Sequence, residues 1–277
     1  MSKRIHLNWF DSELAERAAA IVRGAMQPAP ARDAATVVII REPLEILMLK
    51  RPGSMNFAAG AYVFPGGRLD AGDADPRIGW HGPSPAEFGV RLGASADEAR
   101  ALVVAAVRET YEESGVLLAG TPDGGAVIPS GPDWAADRTA LNAGELSFAD
   151  LLLRRGLVIL ADRIVPWARW ITPAAEPRRY DTRFFAALVP PGQTADGHVA
   201  EADKTAWVDP AGALDAARAG DIMLLPPTAV TLGEFAAAGD VPGFLRQRRA
   251  IKPVQPVLLA EDGEAWLEIP AEVPYPL

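Results

Sequence analysis

An α/β fold is predicted for this 277-residue chain by three features read together. Residues 36–41 and 46–51 are branched apolar runs on either side of Glu42-Pro43-Leu44-Glu45, as in two strands of a hairpin. A second pair, residues 166–173 and 180–188, flanks Glu176-Pro177-Arg178-Arg179 in the same way. Between the pairs, Ala99, Leu102, Val103, Ala106, Val107 and Thr110 recur at steps of three and four, the spacing of a helix with a buried stripe.

The remaining elements follow in chain order. Residues 1–32 form an N-terminal extension in which Asp11 or Ser12 caps a helix. Leu14, Ala18, Ile21, Val22 and Met26 give that helix one apolar side, Glu13 and Arg17 pair at i, i+4, and Pro28 and Pro30 close it. Its expected role is packing, at the domain edge or at the contact of a homodimer. The main domain spans residues 33–227. After its first hairpin, Arg51 leads through a Gly-containing segment to a strand at 61–64 and then Pro65-Gly66-Gly67. Adjacent glycines there predict a tight turn, or a backbone that lets a ligand approach closely. Residues 68–95 read as a long insertion rich in Asp, Gly and Pro, including Trp80 and His81. Loops of such length are functional or mobile in most compact domains.

Ser95-Ala-Asp-Glu98 fits a capping box, which starts the central helix near Ala96, and Gly115 ends it. Residues 116–118 are expected to continue as a strand. Residues 120–150 begin Gly- and Pro-rich and end in a short amphipathic helix from about Phe148 to Arg154. Asp209-Pro210 caps a helix over 211–219, and residues 228–250 give two short helices. Residues 254–259 and 265–269, around Glu261-Asp-Gly-Glu264, complete a C-terminal hairpin, so that 228–277 packs on the main domain.

Composition narrows the function. The chain carries 27 basic and 36 acidic side chains, a net charge of −9, which disfavours general binding of nucleic acid or anionic membrane. It has no cysteine, which removes disulfides, thiolate nucleophiles and sulfur-ligated zinc. Its three histidines, His6, His81 and His198, are scattered and offer little to a zinc site or a Ser-His-Asp triad. No apolar run has the length of a signal peptide core or a membrane span, so a cytoplasmic protein is expected. The C-terminal Pro-Tyr-Pro-Leu277 is not a Ser-Lys-Leu-type address.

The chemistry concentrates at the end of the central helix. Glu109, Glu112 and Glu113 fall at i, i+3 and i+4, on one face and within one turn. A solvated acidic face is the common fate of such a trio, yet like charges this close repel unless a cation lies over them. Clustered carboxylates suit a hard divalent ion, Mg²⁺ or Mn²⁺, which also accepts substrate phosphates as ligands. Glu98 lies three turns away, about 16 Å at 1.5 Å per residue, and is too far to share that ion. Arg178, Arg179 and Arg183 form the densest basic patch, suited either to surface pairing or to a phosphate-rich ligand.

The run Arg108-Glu109-x-x-Glu112-Glu113-x-Gly115-Val116, downstream of Phe64-Pro-Gly-Gly67, resembles the core of the Nudix box of Nudix hydrolases. The resemblance implies the Nudix fold, a mixed β-sheet between helices, and cleavage of a nucleoside diphosphate linked to another moiety by metal and water. Within the family Glu109, Glu112 and Glu113 would be metal ligands. Arg108 would orient them, and the Gly66-Gly67 backbone would shape the substrate loop. Arg108 comes about 27 residues later than the ordinary box allows. Asp73 stands where the box has its first glutamate, which in the family supports the arginine. Glu201, ahead of Trp207-Val-Asp-Pro210, is similar in placement to a further family carboxylate, a ligand or base.

Arg51, Gly60 and Phe64-Pro-Gly-Gly67 are similar to the extra motif of the coenzyme A diphosphatase branch, although Pro52 replaces the small residue expected there. Trp170-Ile-Thr-Pro173 and 179–185 resemble the long-box members of that branch, which include peroxisomal proteins. The substrate so implied is coenzyme A or an acyl-coenzyme A, split to 3′,5′-ADP and (acyl-)phosphopantetheine, with Arg51, Arg179 and Arg183 as phosphate-binding candidates. The same acids would serve ADP-ribose, NADH or a related dinucleotide. A non-catalytic nucleotide sensor of the same fold is the alternative from another class. An isoprenoid diphosphate isomerase would want Cys or further His groups, and the chain has no Cys.

Overall fold

The computed structural model describes residues 3–6, 12–53, 59–195, 204–238, 241–246, 249–261 and 264–277. In chain order the first elements are β1 (Lys3–His6), α1 (Ser12–Val22), β2 (Ala31–Arg41), β3 (Glu45–Lys50), β4 (Ala61–Val63) and β5 (Gly66–Arg68). Then come β6 (Gly79–His81), α2 (Pro85–Leu92), α3 (Ala96–Ser114), β7 (Ala119–Gly120), α4 (Pro132–Asn142), α5 (Phe148–Arg155) and β8 (Val158–Leu160). The second half holds β9 (Val165–Ile171), β10 (Arg179–Leu188), β11 (Lys204–Val208), α6 (Pro210–Ala219), β12 (Met223–Leu224), α7 (Pro226–Ala236) and α8 (Val241–Arg246). It closes with β13 (Pro253–Val254), β14 (Val257–Glu261) and β15 (Glu264–Ile269).

The main sheet runs β12-β4-β3-β2-β10-β9-β13, with β11 added to β3 and β5 to β2. It is mixed: β2 and β10 are parallel, from Arg179 against Ala31 to Leu188 against Ile40, whereas β9–β10 and β2–β3 are antiparallel. Side chains alternate along a strand, and β2 uses that alternation to serve two cores. Val37 and Ile39 pack with α2, α3 and α5, while Val38 and Ile40 pack with α6, α7 and α8. The sheet therefore lies between helices, as expected.

α3 is the spine of the first core. Ser95 accepts the Glu98 amide at 3.2 Å, and Gly115 ends the helix at φ 74°, a left-handed geometry that suits glycine. The second half of the expected capping box is missing because the Glu98 carboxylate turns to Arg183 instead. Burial exceeds the predicted stripe: Ala101, Val104, Ala105, Arg108, Tyr111 and Ser114 are also buried. Side chains such as Leu102, Val103 and Val107 are fully enclosed, each worth about 1.5–3 kcal/mol relative to exposure.

Several expectations are corrected. The chain bends at Pro65, but Gly66-Gly67 is no turn, because Gly66–Arg68 extends as β5 against β2, Gly66 opposite Thr36 and Gly67 opposite Ala35. The insertion at 68–95 is folded, with a 3-10 turn at Ala71–Ala74, strand β6 and helix α2. α2 is capped by Ser84 and Glu87, closed by Gly93 and laid on α3. The segment 116–118 is not a strand. Gln193 takes the place of a neighbouring strand there, accepting from the Leu117 amide at 2.8 Å and donating to the Leu117 carbonyl at 2.9 Å. Arg17 donates to the Ala175 carbonyl at 3.0 Å. The C-terminal hairpin, β14 and β15, forms as expected and gains β1 as a third strand on β15, packed with α1 around Leu14, Ala18 and Ile269. Among the described residues, no helix is long and apolar enough to cross a membrane.

Candidate active site

The site forms where β5 crosses the C-terminal half of α3. Arg108 is only 7% exposed, and its five N–H donors make five hydrogen bonds. Nε and Nη2 grip Asp73 Oδ1 and Oδ2 at 2.8 and 2.9 Å, and Nη2 also meets the Arg68 carbonyl at 3.0 Å. Nη1 is shared between Glu109 Oε1 at 2.8 Å and Glu112 Oε2 at 3.0 Å. Asp70 stands at 3.8 Å as a fourth carboxylate near the same guanidinium. Asp73 thus occupies the supporting position inferred for it. It reaches Arg108 through the folded turn of the insertion and is itself 1% exposed.

The third glutamate is fixed from the other side. Gly66 donates its amide to Glu113 Oε2 at 2.8 Å, which ties β5 to the last turn of α3. Close approach bears on both glycines, from the backbone of β2 at Gly66 and from the end of the Glu109 side chain at Gly67. A Cβ on Gly67 would lie 2.5 Å from the Glu109 carboxyl carbon, and one on Gly66 would lie 2.7 Å from Thr36 Cα. Gly66 thus lets β5 lie close against β2, and Gly67 lets it press onto the acidic helix.

One guanidinium does not balance this many acids. Burial, the Glu109 charge and Asp73 together raise the Glu112 carboxyl to about 7 against the pull of Arg108. Burial likewise raises Glu109, again opposed by Arg108. Arg108 is pushed the other way: burial disfavours its charge, but the bond to Asp73 and the surrounding carboxylates overcome that and strengthen its protonation. An excess of buried carboxylate oxygens, with no sulfur or imidazole among them, fits a hard divalent cation in charge and donor type. Among the described residues, no group of three acids is already closed for a metal ion, since Arg108 draws Glu109 and Glu112 toward itself.

The other candidates lie elsewhere. Arg183, 2% exposed, is enclosed by Asp33 at 3.0 Å, Asp181 at 2.8 Å and Glu98 at 3.1 Å. Arg179 donates to the carbonyls of Thr172 and Ala29. Neither joins the glutamates: Asp33, Asp181 and Glu98 hold Arg183, and the Thr172 and Ala29 carbonyls hold Arg179. Arg51 stands at the end of β3, half-buried, its backbone paired with Ala61 and Gly60. Glu201 lies outside the described residues. Sequence reading passed over Arg138, which reaches the same helix end from α4; nothing in the Gly- and Pro-rich stretch before it signals that contact.

Comparison with known proteins points in one direction. Residues 83–234 match the family model described as the NUDT19 Nudix domain. The chain is 31% identical to a Caenorhabditis elegans protein named "Putative nudix hydrolase 7", over 84% of this chain and 70% of that protein. It is 29% identical to the "Acyl-coenzyme A diphosphatase NUDT19" of Gallus gallus, over 84% of this chain and 73% of that protein. Among solved structures, a NUDIX hydrolase from Alicyclobacillus acidocaldarius superposes with a TM-score of 0.68 at 29% identity, covering 80% of this chain and 98% of that one.

Proposed function

The chain belongs to the Nudix hydrolases, and from that premise we propose that it splits the diphosphate of coenzyme A or an acyl-coenzyme A, with Mg²⁺ or Mn²⁺, to 3′,5′-ADP and (acyl-)phosphopantetheine. The observation that carries the reading is the five-bonded Arg108, which holds Glu109 and Glu112 side by side at the end of α3. The 29% identity to acyl-coenzyme A diphosphatases over most of the chain supports the substrate class. In this proposal Glu109, Glu112 and Glu113 hold the ion. When bound, it neutralises the diphosphate and makes water more acidic.

The chain's own residues do the rest. Asp73 locks the guanidinium of Arg108 so that two carboxylates stay oriented although their charges repel. The Gly66 amide fixes Glu113, and β5 brings an unobstructed backbone against the acids. One of these glutamates, or Glu201, takes the proton of the attacking water. Arg51 is assigned to a phosphate of the nucleotide half.

Incubation with acetyl-coenzyme A and Mg²⁺, followed by chromatography, tests the proposal. It predicts 3′,5′-ADP and acyl-phosphopantetheine as products. Intact acetyl-coenzyme A beside rapid turnover of ADP-ribose or NADH would reassign the substrate. Tight nucleotide binding with no turnover of any diphosphate would leave a sensor.

A further inference from the structure

We infer that Arg138 is a positioning residue for the acidic end of α3, holding Glu112 and Glu113 in place from outside their own helix. The inference rests on the reading of those glutamates as the metal-binding acids. Gly115 closes α3, but the charges of its last turn oppose that end. The last turn carries Glu112 and Glu113 and no basic residue, although negative charge at a helix C-terminus opposes the helix dipole. The Glu112 carbonyl would receive the Val116 amide if the helix continued. Instead the chain turns at Gly115, whose amide bonds Tyr111, and the Val116 amide goes to Ser114 Oγ at 3.2 Å.

Arg138 fills that gap. Its Nε and Nη2 donate to the Glu112 carbonyl at 3.1 and 3.0 Å, and the residue is 9% exposed. Asn142, one turn later on α4, points its amide at the same oxygen at 3.5 Å. Two aromatic contacts keep α4 in register. Trp134 meets Tyr111 edge to face at 6.3 Å between ring centroids, its carbonyl accepts from the Tyr111 hydroxyl at 3.3 Å, and the Arg155 guanidinium lies over its ring at 3.7 Å.

Glu112 is thus held at both ends, its carboxylate by Arg108 and its carbonyl by Arg138. A fixed positive charge beside the terminal carbonyls offsets the dipole where the acids are crowded. Loss of that bidentate grip lets the last turn fray, and the carboxylates then start from a broader set of positions when an ion arrives. A misplacement of about 1 Å at such a site costs up to about 100-fold in rate.

The test is Arg138→Met, which keeps an apolar stem of similar length, alongside Arg138→Lys, which keeps the charge but cannot make both hydrogen bonds. Mn²⁺ affinity is measured by electron paramagnetic resonance without substrate, and kcat, KM and the Mg²⁺ half-saturation are measured with it. The expected result for folded R138M is Mn²⁺ binding weakened about tenfold, kcat lowered about tenfold or more, and little change in KM, with R138K in between. Wild-type Mn²⁺ affinity and kcat in folded R138M overturn the inference. Should R138M fail to fold, R138K decides: several-fold weaker Mn²⁺ binding supports it, and a wild-type value overturns it. Glu112→Gln runs in parallel. If that variant binds Mn²⁺ as the wild type does, the reading of the acids fails and the inference falls with it, a result distinct from a silent Arg138.

Discussion

Asp73 and Arg108, 35 residues apart in the chain, form a bidentate pair at 2.8 and 2.9 Å in which neither side chain is more than 9% exposed. The pair joins the folded insertion to the acidic helix, so the insertion supplies a structural member of the site. Asp73→Asn weakens two charge-assisted hydrogen bonds to Arg108, which Glu109 and Glu112 still face, at a cost of about 3 kcal/mol. Asp73→Asn is expected to lower the melting temperature by about 6–10 °C. Because Glu109 and Glu112 lose their fixed guanidinium, kcat should fall about 100-fold. Thermal unfolding and steady-state kinetics on one preparation check both.

Gly67→Ala places a methyl group against the Glu109 carboxylate. Overpacking of this kind costs about 1–3 kcal/mol, and the side chain that gives way is Glu109. Activity should fall more steeply than stability, with a raised Mg²⁺ half-saturation. A variant that melts early but turns over normally per folded molecule would count against the contact.

Metal-free protein should show an unusual pH dependence. The folded Glu112 carboxyl keeps its proton up to about 7, whereas the ordinary glutamate value is 4.5. The folded state then binds more protons than the unfolded one between these values. The stability this gives is fully present below about pH 4.5 and is lost as pH rises through about 7. With chelator present, Glu112→Gln should melt level with the wild type at pH 5 and a few degrees above it at pH 8. A constant difference across that range would show that Glu112 does not titrate there.

Arg183→Met should separate the structural arginines from the substrate. Asp33 and Glu98 are partly open to solvent and Asp181 keeps Arg169, so the cost is about 2 kcal/mol of stability, measured by urea unfolding. KM for the nucleotide should stay within about twofold, since Arg183 has no accessible face to offer a phosphate.

These outcomes trace how much was legible in the sequence. The spacing of Glu109, Glu112 and Glu113, with Ser95 and Gly115 at the ends, is local information, and it put α3 from near Ala96 to Gly115, where the structure has it. The branched runs marked the strands, whereas the sheet between helices came from the resemblance to the Nudix box; the structure shows how the alternation along β2 serves both cores. What stayed hidden depends on distant partners. Gly66-Gly67 looked like a turn because glycines make turns, and only β2 alongside and Glu109 above show why a strand needs them. Arg183 looked available because its acids sit at positions 33, 98 and 181. Residues 116–118 have the composition of a strand, but Leu117 is paired by the Gln193 side chain and Leu118 by the Leu160 amide, rather than by a strand ladder alongside.

The most direct test is a comparison of wild type and Glu112→Gln on an acyl-coenzyme A with Mg²⁺, following 3′,5′-ADP. The glutamate-held ion predicts steady release by the wild type, none after chelation, and a loss of several orders of magnitude in the variant. Equal release by both proteins, unaffected by chelator, would contradict it.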